Sequence, residues 1–418
     1  MARVGAEIPK DGAVDSSLAL LSEGYEFIPN RCKRYNSDIV EIRLALQKAY
    51  CVTGPEAVKM FYHPGRFTRR GAVPPTTVRL LQDVGSVQSL DNEAHHHRKQ
   101  LFVSMMTPER IQRLVDIADR EWSARIANWA GMDEVILHEE ARHVITRAVC
   151  RWAGLPLTES EADERTREFG AMIDGAGTPG PRQAKDLLLR SRTEKWGRDW
   201  IDAIRAGTYA VESGTAAHAV VWHRELDGEL LETDIASVEL INFLRPTVAV
   251  ARYVTFAAQA LYENPALREK LLSSGDDEAE RFTQEVRRYY PFFPAVAGKA
   301  LRAFEWEGHK FEEGAWFLLD IYGTNRDPRT WEAPDVFEPE RFRQWDGSAY
   351  NFIPQGGGDI HVNHRCPGER ITIELTKAAA RLLASLDYEV PPQDLSIDLS
   401  DMPALPASGF VIQYQMAA

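Results

Sequence analysis

A mainly α-helical fold with a small β region is predicted for this 418-residue chain. Three observations predict it. Apolar residues recur at helical spacing along most of the chain. Pro108 and Pro367 stand where a helix N-terminus tolerates proline. Strand-like runs are few and short.

Residues 16–28 read as the first helix, and 39–44 with 49–53 as strands able to pair. Thr107 as N-cap and Pro108 at the first helical position start an amphipathic helix to residue 129. Helices at 158–173 and 184–204 follow with similar periodicity. Residues 236–262 are long and largely apolar, so one helix is expected to run through the interior. A helix at 278–290 is stopped by Pro291. Residues 300–305 and 316–319 read as strands, 367–386 as a helix opened by proline, and 405–414 as a hairpin.

Hydrophobic residues make up 44% of the chain and charged residues 27%, an ordinary soluble balance. The net charge of −13 argues against a nucleic-acid partner, which needs a basic face. It is also a poor global setting for an acidic ligand. Cys32, Cys51, Cys150 and Cys366 are scattered and form no CxxC pair, as expected in a reducing compartment. The N-terminus has no apolar core resembling a signal peptide. The longest uncharged run of the most apolar region, 253–262, is far short of the ~20 residues a membrane span needs. A cytoplasmic location is therefore expected. Length alone allows two or three domains at ~150 residues each, but no linker or composition shift divides the chain.

Several tempting motifs fail. His138 and His143 flank a protease-like Glu-Glu-Ala-Arg stretch, but their spacing of five sets them ~140° apart on a helix. The consecutive His95, His96 and His97 cannot converge on one ion from a helix. Gly356-Gly357-Gly358 lacks the dinucleotide spacing, and neither a phosphate-binding GKS/GKT loop nor a GxSxG elbow is present.

The segment from Phe352 to Glu369 differs in kind: a glycine-rich loop leads to one cysteine, Cys366, then Pro367 and Gly368. A helix start, Arg365 and His364 are expected to lower the thiol's pKa. A thiolate there, with glycines admitting a flat group, suits axial ligation of haem iron and favours O–O cleavage. On composition alone a buried structural cysteine reads as well. The rest of the chain decides between them. Glu285-Val286-Arg287-Arg288 and then Phe337-Glu338-Pro339-Glu340-Arg341-Phe342 precede the loop. This order, ExxR, FxPERF and a glycine loop with Cys-x-Gly, resembles the cytochrome P-450 superfamily over most of the chain. The resemblance implies a P-450-type haem-thiolate fold, a single catalytic domain over 1–418, haem b (iron protoporphyrin IX) on Cys366, and a buried network of Glu285, Arg288 and Arg341.

Two departures narrow the resemblance. Asp359 stands seven residues before the cysteine, where most members carry phenylalanine, and an acid–Thr pair is missing from 240–249. There, Arg245 interrupts an apolar helix, and a buried unpaired cation is costly, so it must meet an anion. A fixed Asp or Glu would satisfy it; so would a ligand carboxylate gripped bidentately. Pro246 is expected to kink the helix and free an upstream carbonyl.

Arg-Pro with the extended glycine loop resembles the fatty-acid peroxygenases, which use hydrogen peroxide. That resemblance implies that Arg245 holds a long-chain fatty acid by its carboxylate. The carboxylate replaces the absent acid, taking a proton from peroxide and returning it to the distal oxygen. Anchoring it places Cα and Cβ nearest the oxidant. No obligatory redox partner is then needed. Alternatives are a decarboxylase forming terminal alkenes and a redox-partner-dependent monooxygenase; a silent haem-binding carrier would leave the thiolate without a purpose.

The resemblance also assigns pocket positions. Phe292 abuts the substrate, and the bulk of Phe293 favours Cα hydroxylation over mixed products. Gln88 matches a distal position that tends to be histidine in alkene-forming relatives. Arg69, His95, Lys99 and His364 match contacts to the haem propionates, although each read alone is an ordinary solvated basic side chain.

Overall fold

The computed structural model describes residues 7–83, 85–177 and 181–415. Its largest core is helical. The helix Leu137–Trp152 is buried along most of its length, its apolar residues in the core and its buried Glu140 and Arg142 held in ion pairs. It packs against helices Pro108–Ile126, Glu159–Asp174, Thr233–Val248 and Ala251–Glu263. Local signals set several of these ends. Thr107 Oγ1 accepts from the Arg110 N–H at 3.4 Å. Thr158 and Glu161 form a reciprocal capping box at the start of Glu159–Asp174.

A five-stranded sheet stands beside the helices in the order Ile39–Leu44, Gln47–Val52, Trp316–Asp320, Ala295–Ala300, Phe67–Thr68. Ile39–Leu44 and Gln47–Val52 pair antiparallel, as their sequence suggested, with Ile39 opposite Val52. Gln47–Val52 runs parallel to Trp316–Asp320, with Ala49 opposite Trp316. The sheet carries two smaller cores of its own.

Four expectations are corrected. The first helix divides into Ser17–Glu23 and Phe27–Tyr35, because Gly24 has φ +53° and its backbone closely approaches Leu399 O. The long apolar helix divides into Thr233–Val248 and Ala251–Glu263. Pro246 has no N–H for the carbonyl of Asn242, and the last turn loosens until the helix restarts. The strand expected at 300–305 is the end of Ala295–Ala300 and the start of a separate hairpin, Phe304–Trp306 with His309–Phe311. The tail is no local hairpin: Val411–Tyr414 pairs instead with Val135–Ile136 and Tyr388–Glu389.

Candidate active site

The cysteine loop is built on glycine and on its own backbone bonds. Gly356 has φ +93°, and a Cβ there would lie 2.9 Å from the Tyr62 hydroxyl oxygen. Any other residue would be strained and crowded there. The Cys366 N–H donates to Gln355 O at 3.0 Å, and the Ile353 N–H to Asn325 Oδ1 at 2.7 Å. Beneath the loop, Arg287 bonds Gln355 Oε1 at 3.0 Å and also pairs with Glu369. The helix after the cysteine begins at Glu369 and runs to Ser385.

Burial pushes the Cys366 thiol up, opposed by a hydrogen bond from Gly368 N–H and by the charges of Lys99 and Arg287. This corrects the expectation of a thiol lowered by Arg365 and His364. Arg365 is turned away onto Glu369 Oε2 at 2.7 Å and Gly358 O at 3.2 Å. Burial holds His364 well below the usual histidine range, so it offers no charge. A bound metal cation would itself supply what deprotonates such a thiol.

Glu285, Arg288 and Arg341 meet in one buried network. Arg288 Nε and Nη2 each donate to Glu285 at 2.7 Å, and Arg341 Nε lies 3.2 Å from Glu285 Oε1. Arg288 spends its remaining donors on the carbonyls of Pro334 at 2.8 Å, Val336 at 3.2 Å and Asn325 at 3.4 Å. The network thus reaches Asn325, which holds the cysteine loop.

A cavity of ≈ 440 Å³ opens over Cys366. That volume lies within the ~300–1,000 Å³ range of small-molecule sites. Gln88, His95, Lys99 and His364 line it, as do Arg245, Pro246, Phe292 and Phe293. Arg69 lies in an adjoining pocket that shares Tyr62, His95 and His364 with the first. Phe292 stacks on Tyr253 with centroids 4.4 Å apart, and its carbonyl accepts from Tyr25 OH at 2.9 Å. Phe293 meets Phe292 edge-on and stays 40% exposed, so its ring is a boundary of open space rather than core filling.

Arg245 is buried, yet among the described residues it forms no salt bridge. It donates to Leu81 O and, at 3.4 Å, to Asn242 Oδ1, while its Nε has no partner. Desolvation first, then the neighbouring Arg190, hold the guanidinium down to about 9. An anion in the cavity would relieve both effects. Sequence reasoning missed what stands beside it. Glu239, fully buried, accepts from the Val87 N–H and from Arg98 at 2.7 Å each, and from Asn242 Nδ2 at 3.1 Å. Asn242 Nδ2 also reaches Gln88 Oε1 at 3.4 Å. This chain of bonds turns the Asn242 carbonyl oxygen toward Arg245. The charged Glu239 inside an apolar helix was the available signal.

The second cluster is basic. Lys99 donates to the carbonyls of Asn363 and Arg365, and the His95 and His364 rings lie 4.0 Å apart. Arg69 donates to Ala297 O at 2.6 Å and stacks over Phe61 at 4.7 Å. Burial, then mutual repulsion, lowers His95 to about 3; burial lowers Lys99 to about 8. None of the four forms a salt bridge among the described residues. Arg69 and Lys99, with the neutral His95 and His364 rings as hydrogen-bonding groups beside them, suit a ligand that carries negative charge.

The comparisons with known proteins agree with this geometry. The cytochrome P450 family model matches residues 279–413. Cytochrome P450 716A2 of Arabidopsis thaliana is 22% identical over 96% of this chain and 90% of its own. Among solved structures, cytochrome P450SP alpha (CYP152B1) with (R)-ibuprofen is 47% identical, with a TM-score of 0.93, over 96% of this chain and 98% of its own. Cytochrome P450EX alpha (CYP152N1) with myristic acid is 41% identical, with a TM-score of 0.94, over 98% and 99%. A cytochrome P450 OleT variant with arachidonic acid is 34% identical, with a TM-score of 0.94, over 98% of each chain. The chain belongs to the cytochrome P450 superfamily and, within it, to the fatty-acid peroxygenase family. It is an oxidoreductase, and membership implies a haem cofactor. The residues present fit that group: an unpaired thiol faces the cavity, and the basic cluster suits a macrocycle bearing two carboxylates. Among the described residues no helix is long and apolar enough to cross a membrane.

Proposed function

We propose that the protein uses hydrogen peroxide to hydroxylate long-chain fatty acids at Cα, with some Cβ product. The observation that carries this reading is Arg245, a buried guanidinium in the cavity wall without a carboxylate partner. The carboxylic acids held by the related structures support it.

Cys366 would hold the iron of haem b, and Arg69, His95, Lys99 and His364 would hold its propionates. Bound haem supplies the redox chemistry, and a thiolate ligand favours O–O cleavage. The chain's own residues do the rest. Arg245 orients the fatty acid by a charge-assisted grip on its carboxylate. Asn242, aligned by Glu239, fixes the guanidinium. The held carboxylate takes a proton from peroxide and returns it to the distal oxygen, the work of the missing acid–Thr pair. Overall, one C–H bond and hydrogen peroxide become one C–OH bond and water. Phe292 and Phe293 confine the chain beyond the carboxylate, so Cα lies closest to the reacting centre.

The test is incubation of haem-loaded protein with a fatty acid and hydrogen peroxide, with products resolved by mass spectrometry. 2-Hydroxy acid as the main product is expected. A terminal alkene as the main product would replace the hydroxylase reading with decarboxylation. Turnover only with an electron-transfer system would replace the peroxygenase reading.

A further inference from the structure

The stretch holding His138 and His143 forms no one-face metal motif, and the structure gives the reason. His138 Nδ1 faces Thr255 Oγ1 at 3.0 Å, on the helix Ala251–Glu263. His143 points elsewhere, toward the start of Glu159–Asp174. There its Nε2 lies 3.2 Å from Asp163 Oδ1 and 3.5 Å from Glu159 Oε1. The three donor atoms lie within 4.8 Å of one another. Glu159 and Asp163 are four residues apart, so they share one helix face. His143 is only 6% exposed, yet neither ring nitrogen makes a hydrogen bond.

We propose that His143, Glu159 and Asp163 form a divalent transition-metal site, with zinc the metal it fits best. Zinc takes imidazole and carboxylate donors at ~2.0–2.2 Å, which sets neighbouring donors ~3.0–3.6 Å apart. The two measured separations from Nε2 fall in that range. The carboxylates are well exposed, which leaves room for water to complete a tetrahedral shell. The facing charges are mixed. Arg147 holds Glu159 Oε2 at 2.5 Å and leaves Oε1 to the cluster. Arg125 lies near but is bound to Glu140. Burial and Arg125 favour neutral His143, the form that ligates. The site would pin the helix Glu159–Asp174 to Leu137–Trp152. The far end of that pinned helix carries Ile173 to the cavity wall.

The test uses tag-free, haem-loaded protein and zinc ions alone, by equilibrium dialysis and by anomalous diffraction at the zinc edge. One saturable site at His143 is expected, with Tm rising as zinc is added. Glu159→Gln and Asp163→Asn, both on exposed side chains, should each weaken zinc binding by about tenfold or more without lowering the metal-free Tm. His143→Gln, at the buried ligand, should weaken zinc binding at least as much. Zinc binding unchanged in all three variants, or zinc density elsewhere only, overturns the proposal. So does the absence of saturable binding.

Discussion

Arg288 and Arg245 are both buried, and the molecule treats them in opposite ways. Arg288 has two bonds to Glu285 and three to backbone carbonyls. Arg245 has one carbonyl, one long bond to Asn242 and an idle Nε. Other buried arginines also have an idle nitrogen, but Arg98, Arg190, Arg252 and Arg287 each pair with a carboxylate, and Arg245 does not. The Arg288 network braces the cysteine loop through Asn325. Arg245 opens onto the space where a carboxylate would lie.

Substitution should separate the two roles. The largest stability effect is expected from Arg288→Ala, which strips Glu285 of its main partner. A loss of about 3–5 kcal/mol is expected by denaturant unfolding, with haem content falling in parallel. Arg245→Leu should do the reverse. Turnover of free fatty acids should fall by about 2–5 kcal/mol in transition-state terms, with Tm unchanged or raised because an unpaired buried cation is gone. If both variants lost stability alike, the contrast would collapse.

Proton linkage sharpens the comparison further. Burial holds Arg245 at about 9 in the ligand-free pocket, and a carboxylate needs the protonated form. As the pH rises through about 9, binding must also take up a proton, so fatty-acid affinity should weaken by up to about tenfold per pH unit. A flat titration across that range would mean that Arg245 keeps its proton. The smallest effect is expected at Phe293→Ala. It leaves both arginines in place and should move the Cα to Cβ product ratio by about tenfold or less.

Much of the proximal side was legible in the sequence, because its logic is local. The glycine loop, Cys366 and the ExxR spacing each lie within a few consecutive residues. Arg245 was legible for the opposite reason, as a charge that the surrounding apolar helix could not tolerate. What escaped was relational. Arg98 reaches Glu239 from 141 residues away in the chain, and no spacing rule could join them. The thiol's pKa was misjudged because the sequence names neighbouring charges without telling which way they point. Arg365 turns to Glu369, and burial outweighs the rest. The net charge of −13 says nothing of the local field at Arg245, a buried guanidinium in the cavity wall.

The interruption after Pro246 divides two tasks. Thr233–Val248, which bears Arg245, packs on Pro181–Arg205 and Glu159–Asp174, while Ala251–Glu263 packs on Glu369–Ser385, the helix that follows the cysteine. Both rest on Leu137–Trp152. One unbroken rod could follow only one axis across that helix. Two rods joined by a short turn let the cavity wall and the support behind the cysteine each take its own line over one shared base.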